Sequence, residues 1–233
     1  MIYAIGDIHG ELRKLHRLVQ KLETAGLKPD DRLVFIGDYV DRGPESSGVI
    51  ELLIRLRDQR PNTVFLRGNH DQAMMDARDV FDPTRTTERT LDDVAWWFSY
   101  GAKETIASYP DTNPSWHQRI PPAHWEFLES TQMEYRESGY IFVHAGLVPP
   151  DEKWCEPNTD PRLWIREKFI GSKADFGGIV VFGHTPQDLF MPCVMANKVG
   201  IDTGACYGGP LTAISIDPSK PYQREKASFV NAT

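Results

Sequence analysis

Residues 2–10 read IYAIGDIHG, a short apolar run that ends abruptly in glycine, aspartate and histidine. Short runs of β-branched and aromatic residues closed by glycine are typical of buried strands that end in loops. The pattern occurs four more times, as LVFI before GDYVDRG (33–43), VFL before RGNHD (64–71), IFV before HAG (141–146) and IVVF before GHTP (179–186). Because α/β proteins place their chemistry in loops at strand ends, the pattern predicts an α/β fold with a site built from five loops.

Helical patterns separate the first three of these strands. Apolar residues recur at helical spacing over residues 12–22 and again over residues 49–56, so the chain is predicted to open as β-α-β-α-β. Residues 72–139 lack the strand-and-loop pattern and are predicted to form a helical insertion beside the site, within a single domain of residues 1–233. Residues 198–216 predict a β-hairpin, and the last dozen residues, which are polar, are predicted to be loose.

The composition is that of an ordinary globular protein, with 40% hydrophobic and 25% charged residues. The net charge of −7 argues against unspecific attraction to nucleic acid, so we expect no nucleic-acid partner. The sequence has no apolar stretch long enough to span a bilayer and no signal-peptide pattern, so we expect no membrane partner and a cytoplasmic location. Three cysteines without a C-x-x-C pair predict no disulfide partner.

The five loops carry side chains that bind metal ions, namely two carboxylates, one amide and three imidazoles. They are Asp7, His9, Asp38, Asn69, His144 and His184. This mixture of hard oxygen and borderline nitrogen ligands suits manganese, with iron or zinc as alternatives, better than calcium or a structural zinc. Six ligands exceed what one ion needs if it also keeps room for water. They suffice for two divalent metal ions if one carboxylate, most naturally Asp38, bridges the pair.

Two such ions about 3.5–4 Å apart hold a water as a hydroxide nucleophile and neutralise phosphoryl oxygens, which predicts hydrolysis of phosphate esters. The departing alkoxide still needs a proton. His70 is placed next to Asn69 to act as the general acid, and a neighbouring carboxylate, for which Asp41 is the candidate, would orient it and hold it in the acid form. Arg42 offers a planar fork for two phosphate oxygens.

The blocks GDIHG, GDYVDRG, GNHD, HAG and GHTP resemble the signature blocks of the phosphoprotein phosphatase family of metallophosphoesterases, in its small bacterial and phage branch. The resemblance extends from Gly6 to about Ile216. It implies a calcineurin-like metallophosphoesterase fold, in which a central β-sandwich is flanked by helices in four layers. It also implies that the first three ligands named above bind one metal ion and the last four bind the other, with Asp38 shared.

The same resemblance implies functional roles for four residues outside the ligand set. His70 is the general acid paired with Asp41, and Arg42 binds the substrate phosphate. The segment LWIR, residues 163–166, is similar to the stretch that supplies a second phosphate-binding arginine, which here is Arg166.

The leading prediction is a protein serine/threonine phosphatase that acts on phosphoprotein or small phosphoester substrates. One alternative is a symmetric dinucleoside tetraphosphatase or another nucleotide phosphohydrolase, because GNHD, residues 68–71, also occurs in that branch. Asp41 favours the phosphatase, since the dinucleotide branch commonly lacks it. A non-catalytic, partner-binding scaffold of the same fold is disfavoured, because every ligand type, His70 and Asp41 are present.

Overall fold

The computed structural model describes residues 1–156 and 158–233. The strands in this part of the chain are β1 (Ile2–Ile5), β2 (Arg32–Phe35), β3 (Val64–Phe65), β4 (Glu134–Glu137), β5 (Tyr140–Val143), β6 (Ile179–Phe182), β7 (Cys193–Val194), β8 (Lys198–Gly200), β9 (Leu211–Ile216) and β10 (Ser228–Ala232). The α-helices are α1 (Leu12–Thr24), α2 (Ser46–Gln59), α3 (Asn69–Phe81), α4 (Leu91–Ser99), α5 (Ala102–Ala107), α6 (Pro122–Glu129), α7 (Pro161–Trp164) and α8 (Glu167–Gly171). Short 3₁₀ turns lie at Trp116–Arg119, Asp188–Phe190, Ala205–Tyr207 and Arg224–Lys226.

The strands form two mixed sheets of five strands each, in the orders β10-β9-β1-β2-β3 and β4-β5-β6-β8-β7. Strands β1, β2 and β3 are mutually parallel in the first sheet, as are β5, β6 and β8 in the second. All five strands predicted from the repeated pattern belong to these parallel segments. Because parallel strands end at the same edge of a sheet, the loops that follow them are brought together.

The two sheets pack face to face and carry helices on their outer faces. Ala4 of the first sheet belongs to one buried apolar cluster with Phe142 and Val181 of the second. Leu15 of α1 packs in the cluster on the outer side of the first sheet, and Phe169 of α8 packs against the second. This helix–sheet–sheet–helix order confirms the predicted four-layer α/β fold.

Helices α1 and α2 confirm the first two helical predictions. Leu15, Leu18 and Leu22 are the buried residues of α1, because their spacing puts them on one face. The helix ends next to Gly26, whose φ of 96° is a left-handed conformation that glycine adopts without strain. Within the described residues, no helix combines the length and apolar character that crossing a membrane requires.

The segment 72–139 is helical over most of its length. Helices α3 to α6 extend to Glu129, and β4 then pairs antiparallel with β5 at the edge of the second sheet. The sequence of β4 is EYRE, which lacks an apolar run. An edge strand with one face in water tolerates such charged residues, so apolar patterning did not reveal it.

Two local predictions at the C-terminal end are wrong. Residues 198–216 do not form a hairpin, because β8 pairs with β6 and β7 in the second sheet, whereas β9 pairs with β1 and β10 in the first. The last dozen residues include β10, which pairs antiparallel with β9 and buries Ala232. Patterning indicates that a segment is a strand, but it does not indicate which strand is the partner.

Candidate metal centre

Hydrogen bonds join the strand-end loops to one another. The backbone N–H of Ile8 donates to the carbonyl of Asp38 (3.0 Å), and that of His70 donates to Asp38 Oδ1 (3.0 Å). The backbone N–H of His184 donates to Asp7 Oδ2 (2.9 Å), which links the two sheets. The backbone N–H of Gly183 donates to the carbonyl of His144 (2.8 Å), so the structure brings all five predicted loops into one buried site.

Several residues of this site hold a left-handed backbone although they are not glycine. They are His9 (φ 46°), Asp38 (51°), Asp41 (74°), Arg42 (67°) and His184 (63°). This conformation costs about 1–3 kcal/mol per residue and persists only where the surrounding structure holds it. The bends turn these side chains inward, so the fold stores strain where the site is built.

Two glycines let carboxylates approach the backbone closely. A Cβ placed on Gly183 would lie 2.0 Å from Asp7 Oδ1, and one placed on Gly68 would lie 2.1 Å from Asp38 Oδ1. Any other residue at either position would displace a carboxylate of the site.

Asp38, His144 and His184 form one buried group whose potential ligand atoms lie within 4.8 Å of one another. His144 Nδ1 donates to the carbonyl of Ile36 (2.9 Å), which leaves a lone pair on Nε2. That Nε2 atom lies 3.0 Å from Asn69 Oδ1 and 3.5 Å from Asp38 Oδ1. Acceptor atoms therefore point at one another, an arrangement that a cation relieves.

A second buried group contains His9, Asp38 and His70. His9 Nδ1 donates to the carbonyl of Val40 (2.8 Å), so its Nε2 atom faces Asp38 Oδ2 at 3.2 Å. Asp7 Oδ1 and His184 Nε2 are buried and have no hydrogen-bond partner among the residues that the structure describes. Because buried polar atoms are normally satisfied, these two atoms are suited to bind a cation.

The donor set therefore fits two divalent cations. The carbonyls that accept from His9 and His144 fix each imidazole in the tautomer whose Nε2 carries no proton, as bonds behind metal-binding histidines do. Asp38 belongs to both groups, as its predicted bridging position requires. Carboxylate, amide oxygen and imidazole together match manganese, iron or zinc.

The electrostatics of the site also favour cations. Burial lowers the pKa of His144 to about 4 and that of His184 well below its usual value, so both imidazoles are neutral. Burial alone would raise the pKa of Asp38, but neighbouring histidines outweigh it and hold this pKa well below the usual range. Burial, Asp202 and Asp38 raise the pKa of Asp7 well above its ordinary value, and a cation would reverse that shift.

His70 and Asp41 form a buried hydrogen-bonded pair beside these groups. His70 Nδ1 donates to Asp41 Oδ2 (2.7 Å), as the pairing inferred from the sequence requires. Asp41 also accepts from Trp97 Nε1 (2.9 Å) and from Thr105 Oγ1 (2.6 Å). Burial lowers the pKa of His70, although Asp38 and Asp41 oppose it. The carboxylate thus orients His70, but it does not by itself hold the imidazole in the acid form.

The two predicted phosphate-binding arginines lie at different positions around the site. Arg42 donates from Nη1 to His9 Nε2 and from Nη2 to His70 Nε2 (2.8 Å), and its guanidinium lies 5.4 Å from the ring centroid of Tyr207. Arg166 Nη1 donates to the carbonyl of His184 (3.1 Å) and to Thr185 Oγ1 (3.2 Å). Arg42 therefore contacts two histidines of the second group, His9 and His70, whereas the hydrogen bonds of Arg166 among the described residues go to the loop of His184.

Sequence reasoning missed three residues that build the site. Asp71 accepts hydrogen bonds from the backbone N–H groups of Asp38 (2.9 Å), Tyr39 (3.0 Å) and Gly68 (2.8 Å), and so ties the second loop to the third. Its position directly after GNH was the available signal. The other two are Trp97 and Thr105, whose partner Asp41 precedes them by 56 and 64 residues. No local pattern marks such a pairing.

Replacing Trp97 with phenylalanine is expected to lower kcat about tenfold, because hydrogen bonds to charged groups contribute about 1.5–3 kcal/mol and Asp41 would lose one of its donors. Phenylalanine keeps an aromatic ring at this buried position but has no side-chain N–H group. The measurement is kcat and its pH profile, together with Tm. Trp125→Phe is the control, since it removes an indole donor to the carbonyl of His117 elsewhere in the insertion. Equal losses of kcat in both variants would contradict a specific role for Trp97.

A family model described as calcineurin-like phosphoesterase matches residues 1–212. The chain belongs to the calcineurin-like phosphoesterase family. It is a metallophosphoesterase, and the family resemblance drawn from the sequence motifs is confirmed. The family uses a dinuclear divalent metal centre, which agrees with the two ligand groups that share Asp38.

Relatives of both predicted enzyme types are similar to this chain over nearly its whole length. The serine/threonine-protein phosphatase 1 of Salmonella typhimurium is 33% identical over 219 residues, which cover 92% of this chain and 91% of that protein. A bis(5'-nucleosyl)-tetraphosphatase of Bacillus thuringiensis is 29% identical over 245 residues, which cover 95% and 96%. That relative is described as asymmetrical, whereas the alternative considered from the sequence was the symmetric type or another nucleotide phosphohydrolase.

Solved structures show the same fold. A protein serine/threonine phosphatase of Saccharomyces cerevisiae aligns with a TM-score of 0.58 at 17% identity, and covers 99% of this chain and 79% of its own. A metallophosphoesterase from Sphaerobacter thermophilus aligns with a TM-score of 0.54 at 17% identity, and covers 100% and 87%. At these identities the likeness establishes the fold alone.

Proposed function

We propose that this metallophosphoesterase is a protein serine/threonine phosphatase. The observation that carries the proposal is the buried His70–Asp41 pair, whose carboxylate accepts two further hydrogen bonds from Trp97 and Thr105. An alkoxide leaving from serine or threonine is a strong base and needs a proton as the ester bond breaks. A nucleotide leaving from a polyphosphate is a weak base and needs that proton far less. A well-supported acid therefore favours the phosphomonoester.

The six predicted ligands are proposed to hold two divalent ions, of which manganese is the first choice. Asp7, His9 and Asp38 would hold one ion, and Asp38 would share the other with the remaining ligands, which are Asn69, His144 and His184. When bound, the ions supply an activated water and neutralise charge on the phosphoryl group. Asp38, His9 and His144 would position the ions. Backbone carbonyls hold the imidazoles of His9 and His144 in a fixed tautomer and orientation.

His70 and Arg42 are proposed to act on the phosphoryl group and its leaving oxygen. His70 Nδ1 is engaged by Asp41, so Nε2 is the atom that delivers the proton. Arg42 donates to that same Nε2 atom in the structure. Once His70 is protonated, this contact becomes one between two donors of like charge. The guanidinium is thereby released toward phosphoryl oxygens, which its planar fork matches.

Arg166 is proposed as a second, weaker contact for phosphate. Its Nη1 atom holds the loop of His184 through the carbonyl of His184 and the hydroxyl of Thr185. The guanidinium is partly exposed and has further donors that these two bonds do not use. A role in orienting that loop accounts equally for the contacts that are present.

The segment 72–139 is proposed to be part of the catalytic unit rather than an independent domain. Trp97 lies on α4 and Thr105 on α5, and both side chains donate to Asp41. Without this segment, the carboxylate of Asp41 would lose the hydrogen bonds from Trp97 and Thr105.

The second candidate function is hydrolysis of dinucleoside tetraphosphates, which the Bacillus thuringiensis relative favours. The decisive measurement is kcat/KM with manganese for a phosphoserine peptide and for diadenosine tetraphosphate, on protein stripped of metal and reconstituted. We expect the peptide to be preferred by about tenfold or more, which is about 1.4 kcal/mol of activation free energy. A preference for the dinucleotide would overturn the proposal and leave the metal ligands in place.

A further inference from the structure

A cavity of about 670 Å³ opens beside the metal centre, between α3, α4 and residues 158–164. Its wall includes Asn69, one of the proposed metal ligands, so the cavity and the centre share a boundary. A substrate whose phosphoryl group lies at the metals can therefore extend into this cavity. None of the roles proposed above uses the space.

Two tryptophans form the aromatic wall between the cavity and the catalytic residues. Trp96 and Trp164 both line the cavity, and their rings meet edge to face with centroids 4.9 Å apart. The ring of Trp96 also lies 4.8 Å from that of His70, and the ring of Trp164 lies 6.2 Å from that of His184. Both tryptophans are half-buried, which leaves part of each ring free to contact a ligand.

The cavity wall is acidic. Among the described lining residues, Asp76, Asp93 and Asp160 supply three carboxylates against the single base Arg89. Arg162, outside the wall, neutralises Asp160 through contacts of 3.0 Å from Nε to Oδ1 and 2.6 Å from Nη2 to Oδ2.

Asp76 and Asp93 are the other two carboxylates of the wall, and Arg89 pairs with Asp76. Asp76 Oδ1 accepts from Gln72 Nε2 (2.8 Å) and from Arg89 Nε (3.1 Å), yet burial still raises the pKa of Asp76 above its ordinary value. Asp93 is exposed, and within the described part of the chain its carboxylate accepts from the backbone N–H and the hydroxyl of Thr90, at the N-terminal cap of α4. Because Arg89 offsets Asp76, the excess negative charge of the wall lies on Asp93.

We propose that this cavity binds an arginine side chain of the substrate, close in sequence to the phosphorylated serine or threonine. This inference rests on the proposed function and adds a specificity site to it. A guanidinium stacks on tryptophan and pairs with a carboxylate through a planar fork, so it uses both features of the wall at once. A tetraphosphate chain, which carries several negative charges, would meet the like charge of Asp93.

The test compares kcat/KM for a set of phosphoserine peptides with that for a parent peptide whose other residues are all alanine. Each peptide of the set carries one arginine, at one of the three positions before or the three positions after the phosphoserine. At one position or more, arginine is expected to raise kcat/KM about tenfold, the effect of one charged hydrogen-bonded pair. In the variants Asp93→Asn and Asp76→Asn, the gain in kcat/KM from the arginine is expected to fall to about twofold or less. Both changes keep a side-chain oxygen, so the cap of α4 and the bond from Gln72 can persist, and Tm reports folding.

Asp92→Asn is the matched control, because Asp92 is an exposed neighbour on α4 that does not line the cavity. It is expected to keep the full arginine preference. If the enzyme hydrolyses the peptides with no preference for arginine, or if both Asp93→Asn and Asp76→Asn retain the preference, this inference is overturned and the proposed function stands. Absence of turnover on every peptide, with turnover of diadenosine tetraphosphate, would overturn both.

Discussion

Replacing Asp38 with asparagine is expected to lower kcat/KM by more than about a hundredfold and to release bound metal, because even the outer partners of metal ligands contribute 10–100-fold. Asp38 belongs to both ligand groups, with Oδ2 3.2 Å from His9 Nε2 and Oδ1 3.5 Å from His144 Nε2. Its pKa lies well below the usual range, so it is ionised at neutral pH. Asparagine keeps the shape and removes the charge that two cations would share.

The measurement is metal content by elemental analysis after dialysis, together with kcat/KM for the phosphoserine peptide. Asparagine retains an oxygen that can accept from the backbone N–H of His70, so the fold is expected to survive. Asp31→Asn is the control, since Asp31 is a buried carboxylate at the opposite end of β2 that accepts from the N-terminal ammonium (2.7 Å). It is expected to lower Tm and keep both metals. Two retained metals in Asp38→Asn would refute the bridging role.

The ligand loops could be predicted from the sequence because each is a local pattern. In IYAIGDIHG the apolar run, the glycine and the proposed ligands Asp7 and His9 are adjacent in the chain, so one short window contains the strand and the candidate site residues. The same holds for β2 with Asp38 and for β6 with His184. Parallel pairing then brings such loops to one edge, which explains why the same pattern predicted the fold class and a candidate ligand set.

What could not be predicted depends on contacts between distant segments. The membership of β8 and β9 in different sheets depends on partners far along the chain, and the same is true of the bond from Trp97 to Asp41. The left-handed backbone at His9 and Asp38 is equally invisible in the sequence, because their types do not require it. These features arise only once packing holds the loops in place.

The protonation of His70 shows the same limit in electrostatic terms. An aspartate near a histidine suggests a raised pKa, and Asp41 does act in that direction. Burial is the larger influence, however, and the pKa of His70 is lowered. The sequence reveals the charged neighbour but not the depth of burial. A bound phosphate dianion would add the negative charge that favours the acid form.

Replacing His70 with asparagine is expected to lower kcat for the phosphoserine peptide by about 10²–10⁴-fold, the usual contribution of a general acid, while KM changes little. His70 is the side chain that Asp41 orients, and its Nε2 atom is turned away from that carboxylate. His16→Asn is the control, because His16 is exposed on α1 and lies outside the site. It is expected to match the unmodified enzyme in kcat and in metal content.

His70 could act as a proton donor or as a metal ligand, because its imidazole also lies within the ligand group of His9 and Asp38. Substrates with different leaving groups distinguish these two roles. A proton donor matters most for a strongly basic alkoxide and least for a nitrophenolate, which departs as a stable anion. We therefore expect His70→Asn to keep both metals. We also expect its fold-loss of activity on p-nitrophenyl phosphate to be smaller than its fold-loss on the peptide by a factor of about ten or more. If His70 is instead a ligand, the variant releases metal and both substrates slow equally. That outcome would leave Asp41 orienting a metal ligand, and the preference for phosphomonoesters would lose its main support.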